Sequence, residues 1–177
     1  TKIMADLAQN YAPSGITTYA ETESEQVFLE GKALILRDWV HFWKTSNDEE
    51  KSKVAGKVGM TLLPIGPEGD TPHTCLGGSC YGINNFIDDE HKQGAADFIR
   101  FANSFDSQKA TVMNSGEPSS DERMYKDADV LEAYPFLGDF YEALQDAKAR
   151  PKTPYYAQTS DAIQRNIHQA LTSEVDV

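Results

Sequence analysis

Glu21 to Trp43 reads ETESEQVFLEGKALILRDWVHFW, and the organisation of the chain turns on how this stretch divides. Thr22 and Glu25 have the spacing of a capping box ahead of Val27, Phe28 and Leu29, and Gly31 stands where a helix ends in the left-handed conformation. Lys32 to Arg37, KALILR, is too short and too continuously apolar for an amphipathic helix; it predicts a buried strand. Asp38 is placed to cap a further short helix carrying Trp39, Phe42 and Trp43. Helix, strand and helix in succession indicate an α/β fold.

Working outward, Ile3, Leu7 and Tyr11 share one face of a helix over residues 2 to 11, which Pro13-Ser14-Gly15 stops. Asn47 to Lys53 is a charged loop or helix face, and Val58 to Leu63 predicts a second strand. Residues 64 to 74 are rich in proline and glycine and read as a loop or an inter-lobe crossing. Cys80 to Asn84 predicts a third short strand. Asp88 then caps an amphipathic helix whose stripe is Ala95, Phe98, Ile99 and Ala102. Phe105 to Met113 is a further helix, and Asn114 to Ser120 is rich in turn residues. Leu137, Phe140, Tyr141 and Leu144 form the face of the next helix. Pro151 and Pro154 hold an extended segment, and a last helix starting near Ser160 carries Ile163, Ile167, Ala170 and Leu171. Three short strands are few for so many helices, so the sheet is expected to be incomplete and to want neighbours from elsewhere.

The 177 residues include 28 acidic and 16 basic side chains, a net charge of -12. That balance argues against nucleic acids and anionic membranes as partners, because phosphate binding needs clustered Lys and Arg. No run approaches the roughly 18 apolar residues of a membrane span. The chain opens Thr1-Lys2-Ile3-Met4 directly into a helical pattern, with neither an initiator Met nor a signal peptide, which predicts a part of a longer protein. Cys75 and Cys80 flank Leu-Gly-Gly-Ser and leave three readings open: a disulfide across a glycine turn, two free thiols, or a zinc site with His73 that lacks a fourth ligand.

Catalytic constellations are thin. His41, His73, His91 and His168 show no metal-ligand spacing, no nucleophile elbow exists, and Leu76-Gly77-Gly78-Ser79 does not open a helix as a phosphate-binding loop must. Asp88-Asp89 falls at a helix N-terminus, where the helix dipole accounts for it. No enzyme, metal or cofactor is expected. What remains is binding chemistry. Arg37, Asp38, Trp39 and His41 lie just past a predicted strand, where ligand clefts of α/β lobes open. An indole stacks on the C–H face of a pyranose, and ionised Asp and Arg make charge-assisted hydrogen bonds to hydroxyls. The competing reading of Trp39, beside Phe42 and Trp43, is a core or interface aromatic.

The same residues carry a resemblance. Glu21 to Trp43 resembles the segment of extracellular sugar-binding proteins of ABC importers in which an E-x-x-F-x-x-G-K-A helix and strand lead into R-N-W-P-Y-x-W. Leu63-Pro64 with Gly66-Pro67 resembles the family's L-P-x-G-P stretch, Leu76-Gly77-Gly78 through Ile83 its L-G-G-W-x-x-G-I strand, and Gly94 to Ala102 its A-A-x-x-F-x-x-F helix. Glu117-Pro118, Tyr134-Pro135-Phe136 and Ala149-Arg150-Pro151 through Gln164 are similar to its later elements. The order is collinear over nearly the whole chain, and the chain is similar to the maltose/trehalose-binding branch of family 1, its C-terminal part only.

That resemblance implies a two-lobed, type II periplasmic-binding-protein-like α/β fold, with sugar enclosed between the lobes and this chain a helix-rich C-terminal portion. It assigns residues 1–75 and 134–177 to the C-terminal lobe and 76–133 to the N-terminal lobe. It implies ligand contacts from the stacking Trp39, from Arg37, Asp38 and His41 around it, from Gly77, Gly78 and Ser79, and from Arg150. Ser79 replaces a family tryptophan and Val40 a proline, which alters the sugar expected. The implied function is non-catalytic capture of a di- or oligosaccharide and its delivery to a membrane permease. The alternatives are another small polar solute, such as an amino sugar or a glycerol phosphate whose anionic group Arg37 and Arg150 would serve, and a fragment without binding activity of its own. The implied place is periplasmic or extracellular, with membrane anchoring through a preceding segment and the N-terminal half of the same protein as partner.

Overall fold

The computed structural model describes residues 2–65 and 72–172. Gly66 and Pro67 of the proline-rich loop lie outside the described residues. Eight α-helices follow in order: α1 Lys2–Asn10, α2 Glu21–Leu29, α3 Phe42–Ser46, α4 Asp89–Ala102, α5 Phe105–Ser115, α6 Ala128–Ala133, α7 Leu137–Gln145 and α8 Tyr156–Leu171. Short 3₁₀ turns occupy Ile16–Thr18 and Glu122–Lys126.

None of the three expected strands pairs. Lys32 to Arg37, Val58 to Leu63 and Cys80 to Asn84 contain no strand, and among the described residues the β pairing is an isolated parallel bridge between Cys75 and Lys148. Leu34 is 94% exposed and Ile35 83%. The apolar pattern of a buried strand is present, but these described segments have no neighbouring strand to complete a ladder.

The described residues fall into two compact units. The first takes them from within Thr1–Trp39, Thr45–Val58 and Pro151–Val177, and the second from Val40–Lys44 and Gly59–Arg150.

In the first unit α1 packs against α8, burying Ala5 and Ala170. The stripe of Ile3, Leu7 and Tyr11 faces outward instead of forming the buried face that the spacing predicts. In α8 the expected stripe is graded, from the exposed Ile163 to the buried Ala170, and the helix begins at Tyr156, one turn before Ser160. α2 starts one residue before the predicted Thr22. Its cap is Ala20, whose N–H donates to the Glu23 carboxylate at 3.0 Å. At its other end the Gly31 N–H donates to Phe28 O at 2.8 Å and the Lys32 N–H to Val27 O at 3.1 Å, with Gly31 at φ +73. That pair of bonds is a Schellman motif, which satisfies two carbonyls the helix leaves open. The Lys53 N–H caps the next carbonyl, Leu29 O, at 2.8 Å.

The second unit holds the larger core. Val112 of α5, Met124 and Tyr125 of the 3₁₀ turn, Val130 of α6, and Tyr134 and Leu137 form one buried cluster. Val40, Trp43, Phe105, Phe136, Phe140 and Tyr141 pack around it. Trp43 lies on Phe136 with ring centroids 5.1 Å apart, and Tyr141 stacks on Tyr125 at 5.0 Å. Burial pushes the Tyr125 hydroxyl up to about 12, and its O–H donates to Ser119 O at 2.6 Å. α4 contributes no buried residue; Phe98 of its expected core stripe is exposed and meets Tyr81 edge-on at 5.8 Å.

Aspartates cap α4, the 3₁₀ turn and α6 of this unit, and Ser104 caps α5. Asp88 accepts from the His91 N–H at 2.9 Å, Asp121 from the Arg123 N–H at 3.0 Å, and Asp127 from Asp129 and Val130 at 3.1 and 3.2 Å. The turn at 122–126 and α6 were not anticipated between Ser120 and Tyr134; the capping residues were the available signal. Lys109 bridges Asp127 at 2.9 Å and Asp129 at 2.6 Å, tying α5 to α6. The side-chain and backbone hydrogen bonds of Arg123 hold the Asp121 carboxyl down at about 2. α5 ends at Gly116, φ +73, where a built Cβ would come within 3.2 Å of the Tyr134 ring.

Truncating the core and the surface should separate cleanly. Leu137→Ala is expected to destabilise the protein by about 2–5 kcal/mol, and the exposed Phe98→Ala by no more than ~0.5 kcal/mol, measured by chemical denaturation. The capping carboxylates set an acid limit. Their folded pKa values lie below the unfolded ones, so their contribution is present above about pH 4 and is lost as pH falls toward 2. Asp121→Asn should flatten the fall of the denaturation midpoint across that window.

Candidate functional site

Arg37, Asp38 and Trp39 belong to the first unit, at the end of the extended segment that α2 feeds. Arg37 is exposed, Asp38 half-buried, and Trp39 48% exposed. Asp38 does not cap a helix: α3 begins at Phe42, and Asp38 Oδ1 instead accepts the N–H of Trp39 at 2.6 Å. That contact fixes the backbone at the base of the indole. The Trp39 Nε1–H donates to Glu21 Oε1 at 2.7 Å. The core-aromatic reading fits Trp43, which packs on the buried cluster, and does not fit Trp39.

His41 lies in the second unit with its Nδ1 3.6 Å from Glu117 Oε1, just beyond the end of α5. Lys44 donates to the Asn114 carbonyl nearby, so two side chains of one short stretch grip the same helix end. A cation at the last carbonyls of a helix complements its dipole. Glu117 and Glu21 were both missed as partners, because 76 and 18 residues of sequence separate them from the rings they meet and no local pattern joins them.

Gly77, Gly78, Ser79 and Arg150 are exposed and also lie in the second unit. The Lys148 N–H donates to Thr74 O and the Leu76 N–H to Lys148 O, both at 2.8 Å. This parallel bridge sets Cys75 beside Lys148, so Gly77 and Arg150 each follow it by two residues on neighbouring segments. Gly78 has φ +147, a backbone that side chains rarely adopt, and Gly77 is not among the positive-φ glycines. Cys75 and Cys80 are both free and exposed. Among the described residues no cluster of His, Cys, Asp and Glu is arranged to hold a metal ion.

Comparison with known proteins gives these residues a context. Residues 1–137 match the family model of the bacterial extracellular solute-binding proteins. The chain belongs to this family. A solute-binding relative from Deinococcus radiodurans, a probable ABC transporter-binding protein, is 34% identical over 166 residues, covering 92% of this chain and 39% of the relative. The maltose-bound MalE3 of T. maritima superposes with a TM-score of 0.91 at 36% identity, over 98% of this chain and 44% of that one. An ABC transporter solute-binding protein from Agrobacterium radiobacter K84, in complex with ribitol, superposes at 0.84 with 26% identity, over 98% and 45%. The fold is therefore that of the periplasmic binding proteins, here in a portion whose described residues are helix-rich with almost no strands, and the chain spans about two fifths of the length of the Deinococcus relative. The family is non-catalytic. Among the described residues no helix is long and apolar enough to cross a membrane.

Gly78 gives a test of the glycine pair. No atom lies within 4 Å of a Cβ built there, so Gly78→Ala should cost about 1–3 kcal/mol through backbone strain alone. Gly77→Ala should be milder, and the two thermal midpoints measure the difference.

Proposed function

We propose that the whole protein captures a sugar or sugar alcohol and presents it to the permease of an ABC importer. The observation that carries this reading is the half-exposed indole of Trp39, held at its N–H by Glu21 and flanked by Arg37 and Asp38. A ring face with planar ionised groups beside it matches a ligand that has apolar C–H faces and vicinal hydroxyls. The maltose and ribitol named for the two structural neighbours are chemically of that kind.

His41, Gly77, Gly78, Ser79 and Arg150 are proposed as further ligand contacts. Ser79, where relatives of the resembling branch carry tryptophan, leaves Trp39 as the principal stacking platform. Residues 1–75 and 134–177 are proposed for the C-terminal lobe and 76–133 for the N-terminal lobe. The exposed apolar side chains of Leu34, Ile35 and the 96% exposed Phe86 support a whole protein in which further chain supplies covering strands. Its place in this reading is outside the cytoplasmic membrane.

Titration calorimetry of the complete protein against maltose, ribitol and glycerol 3-phosphate tests the proposal. Trp39→Ala is expected to weaken the bound sugar or polyol about tenfold or more, from a lost aromatic contact of ~0.5–1.5 kcal/mol and the apolar area that goes with it. Unchanged affinity would remove the stacking role. Tighter binding of glycerol 3-phosphate, falling steeply with salt, would favour an anionic solute held by Arg37 and Arg150.

A further inference from the structure

The contact between Trp39 and Glu21 joins two parts of the first unit that local sequence does not connect. Glu21 is the first residue of α2, and its Oε1 receives the indole N–H at 2.7 Å. Its neighbour in the first turn, Glu23, is already spent on the Ala20 N–H. The two carboxylates therefore have separate tasks, one closing the helix and one reaching the ring.

We propose that Glu21 is a positioning residue for Trp39: it fixes the plane of the indole, so that the ring presents its face to a ligand with an apolar C–H face. This rests on the sugar or polyol reading above. A half-exposed tryptophan has two side-chain torsions, and ordering them at the moment of binding costs affinity; a ring already held in place avoids that cost. The bond to a carboxylate is charge-assisted, about twice as strong as a neutral one. A carboxylate in the first turn of a helix is itself favoured by the helix dipole.

One consequence for ligand choice follows. The indole N–H is engaged by Glu21, so the ring offers a ligand its face.

The test uses nitrogen-15-labelled complete protein, with the indole N–H resonances of Trp39 and Trp43 assigned through Trp39→Phe and Trp43→Phe. Glu21→Ala should shift the Trp39 indole signal and raise its solvent exchange about tenfold or more, as loss of a hydrogen bond to a charged group implies, while the Trp43 signal stays in place. Glu21→Gln, whose amide oxygen still accepts, should restore most of the native signal. In calorimetry Glu21→Ala should weaken maltose or ribitol binding about fivefold and Glu21→Gln less. An unmoved Trp39 indole signal in Glu21→Ala overturns the proposal. So does a sugar affinity that falls in Trp39→Ala and is untouched in Glu21→Ala, an outcome that leaves the sugar reading standing. Affinity unchanged in Trp39→Ala overturns the sugar reading itself, whatever the indole signal does.

Discussion

A helix satisfies its own peptide groups, whereas a strand depends on a neighbour for every N–H and C=O along its edge. That dependence decides which parts of this chain acquire regular structure. The helices close their ladders internally and need from elsewhere only caps and one covered face, which the Val112–Met124–Val130–Leu137 cluster provides in the second unit. KALILR at 32–37 and the segment at 80–84 have the composition of strands and remain extended. One short pairing, Cys75 with Lys148, shows what the backbone does when a second extended segment is at hand.

The acidic surplus is partly spent in building those helices. Asp88, Asp121 and Asp127 each receive backbone N–H groups at a helix start, where the local field is positive, and Glu23 does the same for α2. Lys109 then places one cation between two carboxylates, and Arg123 folds back onto Asp121 while lying 4.6 Å over the Phe105 ring. A net charge of -12 thus coexists with compact packing because much of it sits where backbone donors need it. Glu21, in the first turn of α2, sends its carboxylate outside its own helix, to the Trp39 indole N–H.

How far the sequence could be read follows from the range of each interaction. α2, α4, α5 and α7 were legible because caps, Gly31 and apolar periodicity act within a few residues of each other. The register of burial was not: the stripes of α1 and α4 are well formed, yet Ile3, Leu7 and Phe98 are exposed, since a stripe is buried only where a partner surface meets it. The strand segments failed for the same reason. At the candidate site, Trp39 was found through its local motif, and the separation of two adjacent tryptophans into one exposed ring and one packed ring needed the three-dimensional neighbours Glu21 and Phe136. The family resemblance read from collinear motifs agrees with the comparisons, while the ligand contacts assigned from it stand as proposals.

The placement of those two rings has a spectroscopic consequence. Trp39 belongs to the first unit, open to water and hydrogen-bonded to a carboxylate; Trp43 belongs to the second, packed at a tilt against Phe136 beside the buried cluster. Water around an indole relaxes its excited state and reddens its emission, and an apolar, packed setting does the reverse. The protein therefore carries a pair of intrinsic dyes with different colours, one per unit, so that the long-wavelength edge of its fluorescence follows the first unit and the short-wavelength edge the second.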